Sequence, residues 1–439
     1  MSEILHPGQT VFTQSQHQPI TIARFIAGGG QGEVYRADFS GQPVAVKWYF
    51  ANYPEQDRLR TRLQDLIRVG SPSERFLWPF GLVESPGVQA FGYVMPLAAI
   101  PPFQSLPAIW SQEPRPSMRV LATTGMNLAH CFMQVHSQGL CYRDISDGNI
   151  FFDPGSGEVL IADNDNVSVK DVSCEVAGTR GYMAPEVVRR EASPSRMTDL
   201  HSLAVVLFQI LVVQHPLVGK RELDMPLHIG NNHSLFYGHN PVFIFDPEDR
   251  SNELLPGYRE YEAALYYWPI YPQFIRDSFM QAFTTGLRDP DNGRVGDAEW
   301  RWEFARLRDC IFYCPGCGEE SFLDAEAVKA AEGRMQACRN CGGVPPIPPY
   351  IRIGKNRVVL NPDTRLYPHH VDTRRPFDFS QPVAAVSGGP PETLQNLSEK
   401  KWVMRTSEGS TSEILPGSNA VLADRSTINF GSLEGVVRL

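Results

Sequence analysis

Residues 142–149 read YRDISDGN, and how these residues are read decides the rest of the chain. Charged, small and amide side chains alternate here in an order that hydrophobic packing does not require. Asp144 can accept a proton from an attacking hydroxyl, and Asn149, five residues on, can offer its carbonyl oxygen to a magnesium ion. Asp163 can bridge such a metal to phosphate oxygens. Magnesium takes oxygen ligands and a phosphate supplies some of them, so two protein side chains are enough. Taken singly, each Asp or Asn is an ordinary turn or capping residue. Their joint order carries the argument.

Working outward, GTRGYMAPE at 178–186 places a Gly-Thr pair, a Tyr and an Ala-Pro-Glu stop downstream of Asp163. Upstream, Gly28, Gly29, Gly30 and Gly32 stand between two strand-like runs, followed by Val34 and Tyr35. Consecutive glycines cost backbone entropy, so either the chain passes close to something there or the stretch is a hairpin tip. Lys47 ends the apolar run VAVKWYF, fifteen residues past Gly32. It either reaches phosphates or snorkels to solvent.

In chain order these pieces resemble the protein kinase family over about residues 20–305. The resemblance implies an α+β, two-lobed fold that transfers the γ-phosphoryl group of ATP to serine or threonine hydroxyls of a protein substrate. By the same resemblance Gly28, Gly29, Gly30, Gly32, Val34, Val94 and Lys47 surround ATP, Asp144 is the base, and Asn149 and Asp163 hold magnesium. Thr179 would brace Asp144, Glu186 would pair with Arg294, and Asp199 would tie the catalytic-loop backbone to a helix. The family pattern is broken at several places: Ala27 at the first glycine, Tyr142 for His, Ser146 for Lys, and Asn164-Asp165 for Phe-Gly after Asp163. The helix acid expected to pair with Lys47 falls near Leu59, where there is none. Glu55, Asp57 and Asp65 are the candidates, and Glu55 is preferred for its longer arm. Ser168, Ser173 and Thr179 are candidate phosphate acceptors, with Arg143 as their partner. The departures leave open a second reading, a nucleotide-binding scaffold that signals through conformation.

The 439 residues suggest two or three domains, and 42% apolar with 20% charged residues describes a globular chain. A net charge of −9 argues against a nucleic-acid surface. LAVVLFQILVV, Leu203 to Val213, is too short to span a membrane and reads as a buried helix. No basic-then-apolar leader opens the sequence, so a cytoplasmic protein is expected. Strand-like runs fill the first ninety-odd residues, with GVQAFGYVMPL as a strand pair and 55–70 as a helix; longer helical runs follow from Met118.

Cys314, Cys317, Cys338 and Cys341 form two CxxC pairs separated by twenty residues, the spacing of a structural zinc site. The expected organisation is a kinase domain over 1–305, a zinc ribbon over 306–345 and an all-β sandwich over 346–439, after the Pro-rich GGVPPIPPY. That last part weakly resembles the forkhead-associated phosphopeptide-binding sandwich. The resemblance implies a phosphoprotein partner, with Arg352 or Arg357, His369 or His370, and Asn396 as candidate readers.

Overall fold

The computed structural model describes residues 3–111, 114–169, 178–223, 234–387 and 392–439. Ser173 lies outside the described residues. Period-two patterning near the start becomes six antiparallel strands: β1 (Thr10–Thr13), β2 (Pro19–Gly28), β3 (Gly32–Phe39), β4 (Gln42–Tyr49), β5 (Gly81–Glu84) and β6 (Gly92–Pro96). They close into a barrel in the order β1-β2-β3-β4-β6-β5. The alternation along β4 sorts its side chains. Val44, Val46 and Trp48 enter the barrel core with Ile20, Ile22, Tyr35 and Val83. Ala45 and Tyr49 face the other way, onto Leu59 and Leu63 of helix α1 (Gln56–Val69). Leu5 is fully buried in the barrel core, and its N–H donates to the Tyr35 hydroxyl at 3.0 Å. GVQAFGYVMPL supplies one strand, β6, whose partners are β4 and β5, because residues 87–91 turn instead of pairing.

The chain folds into two units. The first comprises Met1–Pro116, Thr123–Leu265 and Ser278–Arg301. Beyond the barrel it contains the apolar run expected to be helical, Arg196–Val212, whose side chains are nearly all buried. Ser195 and Thr198 form a reciprocal capping box at its start. This fixes the first turn, and with it Asp199.

The second unit comprises Ser117–Ala122, Tyr266–Asp277 and Trp302–Leu439. A hairpin of Ile311–Tyr313 and Glu320–Phe322 carries the first CxxC, and Asp324 caps a short helix, Ala325–Ala330. Two sheets of six and four strands follow, and Ile351, Leu366, Leu394, Trp402, Ile428 and Val437 from both join one core. This is a β-sandwich. Phe312, Leu323 and Met335 of the cysteine segment pack with Val359 of the sandwich.

Candidate active site

Lys47 is on the face of β4 that points out of the barrel, opposite Val34 on β3. The residue is 7% exposed, and its ammonium touches three groups: Asp163 Oδ1, Asp165 Oδ2 at 2.8 Å and Gln31 Oε1 at 2.9 Å. A buried ammonium is tolerated only when paired. Burial disfavours its charge, but the two carboxylates outweigh that and hold its pKa above the usual lysine range. Glu55 instead pairs with Arg58 at 2.6 Å, and Asp65 with Arg68 at 2.8 Å, all on the exposed side of α1. The expectation that Glu55 reaches Lys47 is therefore corrected. Glu55 stands at the helix N-cap with a left-handed backbone (φ 51°), before the turn that faces the site.

Asp163 also has left-handed backbone (φ 54°) and opens a short 3₁₀ turn, Asn164–Asn166. Asn164, replacing a packing aromatic, donates its amide to the carbonyls of Leu77 and Ile161, both at 3.0 Å. The Asp163 carboxyl is pushed up to about 6 by burial and by the neighbouring Asp165 charge, against the pull of Lys47. Burial works the same way on Asp165, but Lys47 wins there and holds its carboxyl below the usual range.

The catalytic-loop stretch is clamped from below. Asp199 accepts the backbone N–H of Tyr142 at 2.6 Å and of Arg143 at 2.9 Å. Arg143 is left-handed (φ 74°), which brings the next residue round to the cleft side of the turn. Asn149 spends its amide nitrogen on the Asp144 carbonyl at 2.9 Å, so its Oδ1 remains the acceptor available to a cation. The Asn149 carbonyl takes the Ala162 N–H at 2.8 Å, which sets Asn149 beside the residue preceding Asp163. The backbone thus sets Asn149 next to the strand end that leads into Asp163.

The segment GTRGYMAPE is anchored residue by residue. Thr179 Oγ1 donates to Asp144 Oδ1 at 2.6 Å, His215 Nε2 meets the Gly181 carbonyl at 2.8 Å, and Ser202 Oγ donates to the Tyr182 carbonyl at 2.7 Å. Glu186 pairs with Arg294 at 2.8 Å, with the Arg side chain only 2% exposed. Gly178 (φ 113°) admits no side chain without strain, since a Cβ there would also meet Met183 at 3.0 Å.

Of the glycines, Gly32 is required by packing, because a Cβ would lie 2.1 Å from the Trp48 carbonyl. Gly29 and Gly30 have open space around them. Gln31, between Gly30 and Gly32, carries the loop's contact with Lys47. Val34 lies on the Lys47 face. Val94 does not. It pairs with Val46 and is fully buried in the barrel core, so its assignment to the nucleotide is corrected; alternation along β6 gives Tyr93 and Met95 to the Lys47 face.

Sequence reasoning missed His136 and Asp297. His136 Nδ1 lies 2.8 Å from Asp297 Oδ2, and its Nε2 lies 3.2 Å from Asp199 Oδ2. Burial opposes protonation, but the two carboxylates raise the imidazole pKa overall. The available signal was a histidine at the end of a helical run, a few residues before Tyr142.

In the second unit all four sulfurs of Cys314, Cys317, Cys338 and Cys341 lie within 4.8 Å of one another. Cys314 and Cys341 are 3.8 Å apart, and Cys317 and Cys338 are 3.7 Å apart. These separations exceed a disulfide bond. They match the edge of a tetrahedron, about 3.8 Å, drawn around an ion about 2.3 Å from each sulfur. Asp309, His369 and His370 also cluster. Backbone N–H groups of Phe377 and Tyr367 donate to the Nδ1 atoms of these histidines at 2.9 Å, so in the neutral rings Nε2 carries the proton and has no lone pair for a metal.

Three of the candidate phosphothreonine readers are engaged within the second unit, and Arg352 stays exposed on its strand. Asn396 is fully buried, with its amide on the Lys400 and Ile414 carbonyls and its oxygen on Ser398. His370 faces Asp309, and Arg357 lies over the Tyr350 ring.

Comparison with known proteins agrees with the geometry of the first unit. Residues 104–247 match the protein kinase domain family. The DNA damage-responsive serine/threonine-protein kinase RqkA of Deinococcus radiodurans is 27% identical over 270 residues, 57% of this chain and 37% of that protein. Serine/threonine-protein kinase PknD of Chlamydia abortus is 27% identical over 255 residues, 48% of this chain and 26% of that protein. The probable serine/threonine-protein kinase CE0033 of Corynebacterium efficiens is 24% identical over 208 residues, 44% of this chain and 31% of that protein. The chain thus contains a protein kinase domain with bacterial serine/threonine kinase homologues, and spans about a third of the length of these relatives. Among the described residues no helix is long and apolar enough to cross a membrane.

Proposed function

We propose that this chain is a serine/threonine protein kinase that transfers the γ-phosphoryl group of ATP to a protein hydroxyl. The observation that carries this reading is the contact of Lys47 with Asp163, far apart in sequence, beside a loop on which Asn149 and Thr179 both hold Asp144. Asp144 accepts the proton of the substrate hydroxyl as its oxygen bonds to the γ-phosphorus and the bond from that phosphorus to the bridging oxygen breaks, releasing ADP; Thr179 and Asn149 keep the Asp144 carboxylate oriented. Lys47 orients the phosphates. Asn149 and Asp163 would hold magnesium, which when bound neutralises phosphate charge. The catalytic part is assigned to residues 1–305, a zinc knuckle to 306–345 and a sandwich to 346–439. The four-thiol cage supports structural zinc, since four sulfurs would fill a tetrahedral ion's coordination and leave no place for a water ligand.

The test uses purified chain, labelled ATP, magnesium and a generic protein substrate, compared with Asp144→Asn. The variant is expected to lose at least about a hundredfold in transfer rate while still binding ATP. Equal transfer by both proteins rejects Asp144 as base. Binding of ATP without transfer by the wild-type chain points to a scaffold.

A further inference from the structure

We propose that Asp165 is the positioning residue for Lys47, in place of a helix carboxylate, and that Arg62 of α1 fixes Asp165 in turn. This rests on the kinase reading and specifies how its lysine is aimed.

Lys47 touches two carboxylates whose surroundings divide their work. The Asp163 side chain is 31% exposed and follows Ala162, whose N–H is bonded to the Asn149 carbonyl, so it is the one able to turn to an arriving ligand. The Asp165 side chain is 1% exposed. Its Oδ2 is held by β4 twice, through Lys47 and through the Tyr49 hydroxyl two residues on. Oδ1 of Asp165 is buried with no hydrogen-bond partner among the described residues, a cost that a purely packing role would not call for.

Helix α1 contributes a cation in place of an anion. Arg62 Nε donates to the Asp165 backbone carbonyl at 2.8 Å. The helix acids stay outside, with Glu55 and Asp65 on neighbouring arginines and Asp57 exposed. The signs across this boundary are therefore inverted relative to a helix-acid pair: the negative charge sits on the loop after Asp163, and the helix holds that loop by its backbone. Asp165 occupies the place where the family pattern has a flexible glycine, so the anchor for Lys47 comes with the same turn that presents Asp163. When Asp163 leaves Lys47 for a metal, Asp165 remains to keep the ammonium aimed.

Three proteins test this, each checked for unchanged melting temperature: Asp165→Asn, which keeps the volume; Arg62→Gln, which leaves both carboxylates; and a combined Glu55→Gln, Asp57→Asn, Asp65→Asn chain. The KM for ATP, the KM for the protein substrate and kcat are measured. Asp165→Asn is expected to raise the KM for ATP about tenfold or more, with the protein-substrate KM within twofold. Arg62→Gln shifts the same parameter in the same direction by about threefold, and the triple helix variant stays within twofold throughout. A merely structural role would move stability and both KM values together. Wild-type-like ATP kinetics in Asp165→Asn, or a loss confined to the helix variant, overturns the assignment while leaving the kinase reading intact. No phosphoryl transfer by the wild-type chain overturns both.

Discussion

His136 bridges Asp199, which aligns the catalytic loop, and Asp297, and Arg196 also lies 3.4 Å from Asp297. A histidine whose folded pKa is raised stabilises the fold fully below its unfolded value, near 6.5, and loses that contribution as pH rises through the folded value. The depressed Asp297 acts at the other end: its contribution is present above the ordinary carboxylate range and is lost as pH falls through the lowered value. The difference in melting temperature between wild type and His136→Gln should therefore shrink as pH rises from 6 to 9, while His130 and His201, whose burial lowers their pKa, act in the opposite sense in both proteins. A difference that stays constant over this range would assign the effect elsewhere. At this scale the sequence is legible where motif order singles a residue out, as the resemblance did for Lys47 and Asp163, whose side chains meet in the structure. It is poorly legible where the answer depends on which face of a strand or turn a side chain takes. Val94 and Tyr93 are adjacent, and only the pairing register of β6 with β4 tells which one meets Lys47.

At the scale of elements, the end of the GTRGYMAPE segment is fastened to the helix Arg196–Val212 and to Arg294, whose guanidinium also donates to the Met197 carbonyl at 2.7 Å. Removing one partner of a nearly buried pair leaves the other charge uncompensated, which costs on the order of 3 kcal/mol. Arg294→Met is expected to lower stability by about that much in chemical denaturation, and Glu186→Gln at least as much, because it leaves the more deeply buried Arg294 charge unpaired. Equal stability in all three proteins would place the anchoring elsewhere. The helix over 55–70 and the barrel strands were legible from period and turn residues, since Leu59, Leu63 and Leu66 repeat at helical spacing. The helix's polar partner was not legible. No spacing rule reveals that a loop aspartate more than a hundred residues downstream supplies the charge that α1 lacks.

At the scale of the whole molecule, the cysteine segment alone reads as nearly coreless, which would make metal the sole source of its order. The structure gives it a small core shared with the sandwich, plus a capped helix. Chelation is therefore expected to loosen the two CxxC knuckles locally, seen as faster hydrogen exchange over about 314–341, while the strands of the sandwich stay protected. Metal analysis should give one zinc per chain, and Cys338→Ser should lower it. Full zinc in that variant would exclude the cage. The CxxC spacing was readable without any coordinates because ligand geometry is local. The strand order of the sandwich was not, because Tyr350–Ile353 pairs with Glu434–Arg438 across most of the domain.

The barrel of the first unit bears on how this protein meets others. β1 pairs with β2 on one side and β5 on the other, so over Thr10–Thr13 it covers the rims to which a foreign chain could add a strand. A fragment begun after Thr13 would uncover two such rims at once. Such a shortened protein should self-associate through them, whatever becomes of its chemistry.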